Sequence, residues 1–429
     1  MNQGVKKGSI YVLIGEGFSA IFLSLFEIFA GKWLGVEKYG LLKVLYDLIF
    51  LLTIFITGGV MENLSRNIAF FEAQKDKKGI EQVIQSSLLI SFVTLVSLYG
   101  LIFIFRIWIA HKFFNYENLM LLQLTLGISI LSTYYIFLGI SLGYKNFKIF
   151  SFGTGAKEFL TLGFLFLIIK YNRETLAVGW SIVLSPILII LILFIILSKT
   201  LSIQWKNILK DFKKNNNFLN ALKFIMTTKM IFIMNQCILR LGPPLIKIIA
   251  KNNQDYYAGI YSAITTPLKL TRTILIALCA ALLPNLTEAY SKKEEKRIKR
   301  YIYKSFSIFL LITSGVTILY FLLGPEIIKS IYGEDFLAHR SDTTLIALGM
   351  SFFFMGTLMA NIMIAKGTPK VPTISLFIGL VCMVLTIIFL KDILSPLTLI
   401  GISLLLCNFI YLFLQTLYFM GGKIKKKKI

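Results

Sequence analysis

Histidine is almost absent from this 429-residue chain: His111 and His339 are the two, and both fall in expected loops. That excludes multi-histidine metal catalysis, and no metal site is nominated. The four cysteines, Cys237, Cys279, Cys382 and Cys407, all lie inside apolar runs without paired spacing. Neither a disulfide framework nor a metal cluster is indicated. There is no G-x-x-x-x-G-K-[ST] run to cradle the phosphates of ATP, and no cofactor is implied. No cleavable leader is read either, because positions 1–7 are short and the first apolar run is long, without a small-residue cleavage site. Acid is scarce as well, 21 Asp and Glu against 45 Lys and Arg.

What the chain has in abundance is apolar length. Hydrophobic residues make up 56% of it, charged residues 15%, and the mean hydropathy is +0.77. Apolar runs of about 20 residues recur throughout, which is what crossing a bilayer demands. The net charge of +24 does not point to nucleic acid, because of where it sits. Roughly 28 of the 45 basic residues fall in the N-terminus, alternate loops and the C-terminus, an asymmetry that marks the cytoplasmic side. Such a face also meets anionic membrane lipids favourably.

Twelve spans are expected, near 9–30, 41–60, 83–105, 119–142, 149–169, 176–197, 218–250, 258–286, 301–323, 344–364, 371–390 and 396–420. An even number places both termini on one side, and Lys423, Lys425, Lys426, Lys427 and Lys428 assign that side to the cytoplasm. The organisation read from this is an N-terminal six-helix half (1–198), a basic linker rich in Lys and Asn (199–217), a C-terminal six-helix half (218–420) and a basic tail (421–429). The halves echo each other. Asn63, Leu64, Ser65 and Arg66 leave the second span as Asn285, Leu286, Thr287 and Glu288 leave the eighth. The basic turn from Gly143 to Lys148 has a counterpart at Lys366 to Lys370. Six spans per half relate such repeats by an axis along the membrane normal.

Ionisable residues cluster on spans one, two, five, seven and eight. A charge at the bilayer centre costs about 2.5–3.5 kcal/mol on insertion scales, so such groups face a cavity or a partner. On span seven Lys229, Arg240 and Lys247 share one helical face, and span eight adds Lys269 and Arg272 one turn apart. With no acid among these cations, Arg240, Lys269 and Arg272, with Lys229 behind them, are the expected contacts of a phosphate-bearing substrate. Snorkelling to the interface is the plainer account of Lys247 and competes for Lys229. Glu16 and Glu27 share a face of span one, and Asp47 on span two lies four residues from Lys43, the spacing of an intrahelical bridge. Glu62 and Arg66 have the same spacing. Buried carboxylates can take up a proton or Na⁺, so Glu16, Glu27 and Asp47 are candidate ion-coupling sites. Lys157 and Glu158 on span five have no assigned role. Gly242, Pro243 and Pro244 interrupt span seven and Pro267 sits in span eight, so both helices are expected to bend or break there.

The segment from Leu34 to Gly40 reads LG-x-E-x-YG between the first two spans, and Asp255, Tyr256, Tyr257, Ala258 and Gly259 stand in a similar place in the second half. Gly259 to Ala263 opens the eighth span and Leu283–Pro284 closes it. In order and spacing these landmarks resemble the polysaccharide-flippase branch of the multidrug/oligosaccharidyl-lipid/polysaccharide exporter superfamily. The resemblance implies an all-α membrane protein of two six-helix bundles related by a pseudo-twofold, the MATE-like flippase fold. It implies a transporter rather than an enzyme, moving a polyprenyl-diphosphate-linked oligosaccharide across the cytoplasmic (inner) cell membrane by alternating access. Polysaccharide assembly proteins would be its partners, and O-antigen or capsule-type glycan its product. A multidrug and toxin extrusion antiporter shares the fold, but its pocket for cationic drugs should be acidic. A membrane polysaccharide polymerase or acyltransferase should show a long outer loop or an intramembrane histidine site.

Overall fold

The computed structural model describes residues 3–200 and 218–421. Nearly all of the expected basic linker and the basic tail lie outside them. Fifteen α-helices make up the described fold. The first eight are α1 (Gln3–Leu34), α2 (Val36–Thr57), α3 (Val60–Ala73), α4 (Lys77–Ile104), α5 (Arg106–Phe114), α6 (Asn118–Gly143), α7 (Phe147–Ile169) and α8 (Thr175–Thr200). After the linker come α9 (Phe218–Arg240), α10 (Gly242–Ile249), α11 (Gln254–Ser291), α12 (Glu295–Tyr332), α13 (Arg340–Ala365), α14 (Lys370–Leu390) and α15 (Pro396–Gly421). Among the described residues ten helices are long and apolar enough to cross a membrane, and the bent pair α9–α10 makes an eleventh. The twelfth expected span falls on α11, whose 38 residues are long enough at about 57 Å but which is not one of these helices.

The helix boundaries follow local chemistry. The polar stretch between the first two spans contracts to one residue, Gly35, at φ 78°, a backbone conformation that glycine adopts without strain. Hydrogen bonds from Gly35 N to Gly31 O (3.1 Å) and from Tyr39 N to Gly35 O (3.0 Å) run straight through the joint. The second span stops at Thr57, where Gly58 and left-handed Gly59 (φ 80°) turn the chain into α3. Asp76 caps α4 by accepting from Gly79 N at 3.0 Å, and Asn146 caps α7 by accepting from Ile149 N at 3.3 Å. Both are side-chain acceptors for amides that have no intrahelical partner.

Span seven breaks where expected. Between Phe232–Arg240 and Gly242–Ile249 the axis turns by 60°. Pro243 and Pro244 fall in the first turn of α10, where a missing N–H costs nothing, so they start the new helix as they end the old one. Span eight departs from expectation, since α11 passes Pro267 as one continuous helix. Proline at 267 deprives the Ala263 carbonyl of its donor. One residue on, the Tyr320 hydroxyl donates to the Ile264 carbonyl at 3.1 Å, so this stretch of backbone is supported from α12.

The chain falls into two compact units, Met1–Ile248 and Ile249–Ile429. The boundary lies downstream of the linker, so α9 and most of α10 belong to the first unit. In that unit α1 runs along α7, α6 packs on α2, α3 and α8, and α9 lies against α2, α4 and α3. In the second, α15 packs on α13 and α14, and α13 also meets α11 and α12. The α1–α7 approach is close: a Cβ on Gly15 would come within 2.6 Å of the Ser151 Cα.

Candidate functional site

The helix α2 carries Lys43, Tyr46, Asp47 and Phe50 at i, i+3, i+4 and i+7, one stripe of a helix. In the fold this stripe meets α1 and α9, and a chain of buried charges results. Lys43 donates to Glu27 of α1 at 2.8 Å and lies 3.4 Å from Asp47. Asp47 accepts from Arg240 Nη1 of α9 at 2.8 Å. Glu27, Lys43 and Asp47 are each 1% exposed, so these pairs are shielded from water and from salt. Aromatic faces complete the setting. The Arg240 guanidinium lies 4.4 Å from the Phe50 ring centroid and 5.2 Å from that of Tyr46, with Lys43 4.6 Å from the latter. Contacts of this kind contribute about 0.5–2 kcal/mol each.

Arg240 is only partly committed. Its side chain is 14% exposed, and among the described residues Nε and Nη2 make no hydrogen bond. Guanidinium offers five donors in a planar fork, so Asp47 uses a fraction of what is available.

The expectation that Arg240 has no acid to neutralise it is corrected here: Asp47 arrives from another span, which spacing within one helix cannot reveal. The Lys43–Asp47 bridge is present as expected. Glu27 and Asp47 are brought together through Lys43, whereas Glu16 is exposed eleven residues earlier on α1. Lys247 does not snorkel. It is fully buried and donates to Asn115 Oδ1 at 3.1 Å, across to the turn between α5 and α6. The break after Arg240 takes it off the stripe it shared with Lys229 and Arg240. Lys229 is 8% exposed, packs its stem against Gly58, and makes no hydrogen bond or ion pair among the described residues. Arg66 stacks on Phe224, 5.1 Å from its ring centroid, and forms no bridge to Glu62. Burial pushes the carboxyl of Glu62, in the first turn of α3, up from the usual carboxylate range.

A second charged centre was not assigned from sequence. Lys157 and Glu158 of α7 pair at 2.6 Å, both buried, with Lys157 5.0 Å from the Phe50 ring centroid. Glu158 Oε2 is buried without a hydrogen-bond partner, as is the Tyr46 hydroxyl. One turn on, Thr161 and Ser185 share a hydroxyl hydrogen bond of 2.6 Å. Adjacent positions in a helix point about 100° apart, which hid this pair from a face-by-face reading.

On the second unit, Lys269 and Arg272 of α11 are half-buried, below buried Ser262, Thr265 and Thr266. Asp342 is buried at the start of α13 and accepts from the Thr398 hydroxyl at 2.7 Å. Among the described residues no group of His, Cys, Asp and Glu could hold a metal ion, and the four cysteines are free.

No curated protein matches the chain. Solved structures do, at identities that speak to the fold alone. An inward-facing multidrug resistance MATE family transporter of the MOP superfamily aligns at 14% identity and TM-score 0.70, covering 94% of this chain and 96% of its own. A eukaryotic MATE transporter aligns at 11% identity and TM-score 0.66, covering 98% and 96%. A MOP superfamily transporter from Pyrococcus furiosus, with a binding pocket of reverse polarity suggesting a different function, aligns at 15% and TM-score 0.64 over 100% of both chains. The MatE family model matches residues 233–390. The model of the polysaccharide biosynthesis protein family matches residues 5–290, two thirds of the chain and all three helices that build the charged centre. With this match and the MATE-like architecture, the chain belongs to the polysaccharide biosynthesis protein family of the MOP superfamily of membrane transporters.

Proposed function

We propose that this transporter is a flippase for a polyprenyl-diphosphate-linked oligosaccharide, moving it across the cytoplasmic membrane for surface polysaccharide synthesis by alternating access. The observation that carries the reading is the sign of the buried charge. In the first unit Lys43, Lys157, Lys229 and Lys247 are buried and Arg240 nearly so, against the buried carboxylates Glu27, Asp47 and Glu158. A surplus of cations at membrane depth suits an anionic headgroup. A multidrug antiporter, the reading that the MatE match favours, needs a surplus of acid for cationic drugs.

Arg240 is the diphosphate contact on the first unit, with Lys229 the weaker contributor. Lys269 and Arg272 present a pair of cations one turn apart on α11. A sugar diphosphate loses hydration in hydrocarbon without replacement, and paired Arg–phosphate hydrogen bonds replace part of it. The polyprenyl tail stays in membrane lipid, and polysaccharide assembly proteins receive the product. Glu16, Glu27 or Asp47 couples the cycle to a proton or Na⁺ gradient, with both termini cytoplasmic.

The test is flipping of lipid-linked oligosaccharide in vesicles holding the purified chain, at matched protein content. The native chain should move it, and the Arg240→Ala, Lys269→Ala and Arg272→Ala variants should be slower. Full flipping by the triple alanine variant would remove these cations from the substrate site. Efflux of cationic dyes without lipid flipping would establish the antiporter instead. Glu→Gln and Asp→Asn variants that respond to an imposed gradient as the native chain does would exclude those carboxylates from coupling.

A further inference from the structure

Arg240 in this conformation is held by Asp47 through one nitrogen while Nε and Nη2 make no hydrogen bond among the described residues. Resting on the diphosphate reading above, we propose that Arg240 works by ion-pair exchange: a phosphate-bearing ligand takes the guanidinium from Asp47, and so removes the ion pair that ties the break in span seven to α2. Three features of the first unit carry this.

The first is donor count. A phosphate can take two parallel N–H bonds from the fork where Asp47 takes one, and the 14% exposure of the side chain leaves an edge open for it. The second is what the carboxylate does afterwards. An abandoned buried charge is strongly destabilising, but Asp47 already has Lys43 at 3.4 Å, a distance with room to shorten. Lys43 is itself held by Glu27 at 2.8 Å, so the carboxylates that remain share a cation and neither is stranded. The third is position. Arg240 is the last residue of α9, and the 60° turn follows at once. Beyond the turn α10 is tied separately, by Lys247 to Asn115. The exchange therefore removes the Asp47 ion pair from the near side of the break and leaves the far side tied. Phe50 and Tyr46 keep the guanidinium plane in place during the exchange, since a stacked ring does not compete for the N–H groups.

The exchange makes Asp47 an internal competitor of the ligand. The experiment is equilibrium binding of inorganic pyrophosphate to the full chain in lipid nanodiscs. Asp47→Asn should bind about tenfold more tightly than the native chain, a difference of about 1.4 kcal/mol. Glu27→Gln removes the same charge from the same network without touching the guanidinium, and should change affinity by less than about threefold. The Asp47→Asn/Arg240→Gln double variant should lose the gain, and being neutral at both positions it leaves no stranded charge to unfold it. Equal tightening in Asp47→Asn and Glu27→Gln would reduce the effect to the general field and overturn the exchange. So would an unchanged Asp47→Asn, or a gain that survives in the double variant. These outcomes are separate from the flipping assay. A chain that shows the pattern but flips no lipid-linked oligosaccharide keeps the exchange and loses that substrate.

Discussion

Replacing Lys43 by methionine tests whether the charged centre is a connected unit. The side chains have similar length, so the substitution removes a charge and little volume. In the native structure Lys43 is the cation between Glu27 at 2.8 Å and Asp47 at 3.4 Å, with all three buried. Asp47 retains Arg240 at 2.8 Å, so the main loss falls on Glu27. Removing one member of a buried pair costs about 3–5 kcal/mol, because the other charge remains in low dielectric. Against a total stability of about 5–15 kcal/mol that is a large fraction. It corresponds to a fall in apparent unfolding midpoint on the order of 10 °C for a unit of this size. Adding Glu27→Gln removes the stranded charge and should recover most of the loss, as replacing both partners of a buried pair is often neutral. The measurement is the fraction of detergent-solubilised protein that elutes as a single species after heating, across a temperature series. A Lys43→Met variant that survives as the native chain does would show that the charges act independently. Failure of Glu27→Gln to restore it would mean that Lys43 supports the fold by some contact other than this pair.

Replacing both Pro243 and Pro244 with alanine should let α9 and α10 merge towards one straight helix and slow transport while the protein still folds; unchanged transport would make the 60° turn a static kink. Gly379→Leu should abolish folded protein, since a Cβ there would meet the Cys407 carbonyl oxygen at 2.6 Å, whereas Gly100→Ala, with nothing within 4 Å, should be neutral or slightly stabilising by elution and melting profile. In a chain freed of native cysteines, a cysteine at Tyr171 should react with an impermeant maleimide from outside whole cells and one at Lys145 should not; the reverse would invert the proposed orientation.

The parts of this molecule that one helix encodes by itself were legible in its sequence. Apolar run length located the spans, and the Gly242–Pro243–Pro244 sequence located the break, because both depend on neighbours within a turn or two. The Lys43–Asp47 bridge was visible for the same reason. Arg240 with Asp47 was not, since 193 residues separate them and no periodicity connects two helices. Lys247 failed differently: its stripe with Lys229 assumed a straight helix that the break had already ended. Pro267 shows the converse limit, for its helix continues, with a tyrosine hydroxyl from α12 on the adjoining carbonyl. The Lys43, Tyr46, Asp47 and Phe50 stripe was a signal available from the start. It alternates charge with aromatic face on one side of a membrane helix, the arrangement that a partner cation such as Arg240 requires.

The separation of Asp47 and Arg240 along the chain has a consequence in time. A ribosome adding about 5–20 residues each second needs roughly 10–40 seconds to reach Arg240 after Asp47 has been made. During that interval α2 enters the membrane with a carboxylate whose final partner does not yet exist. Lys43, four residues away on the same helix, is present from the beginning and can hold Asp47 until α9 arrives. The longer contact at 3.4 Å is thus the one already available to the nascent chain, and in the finished protein it stays as the second hand on the carboxylate.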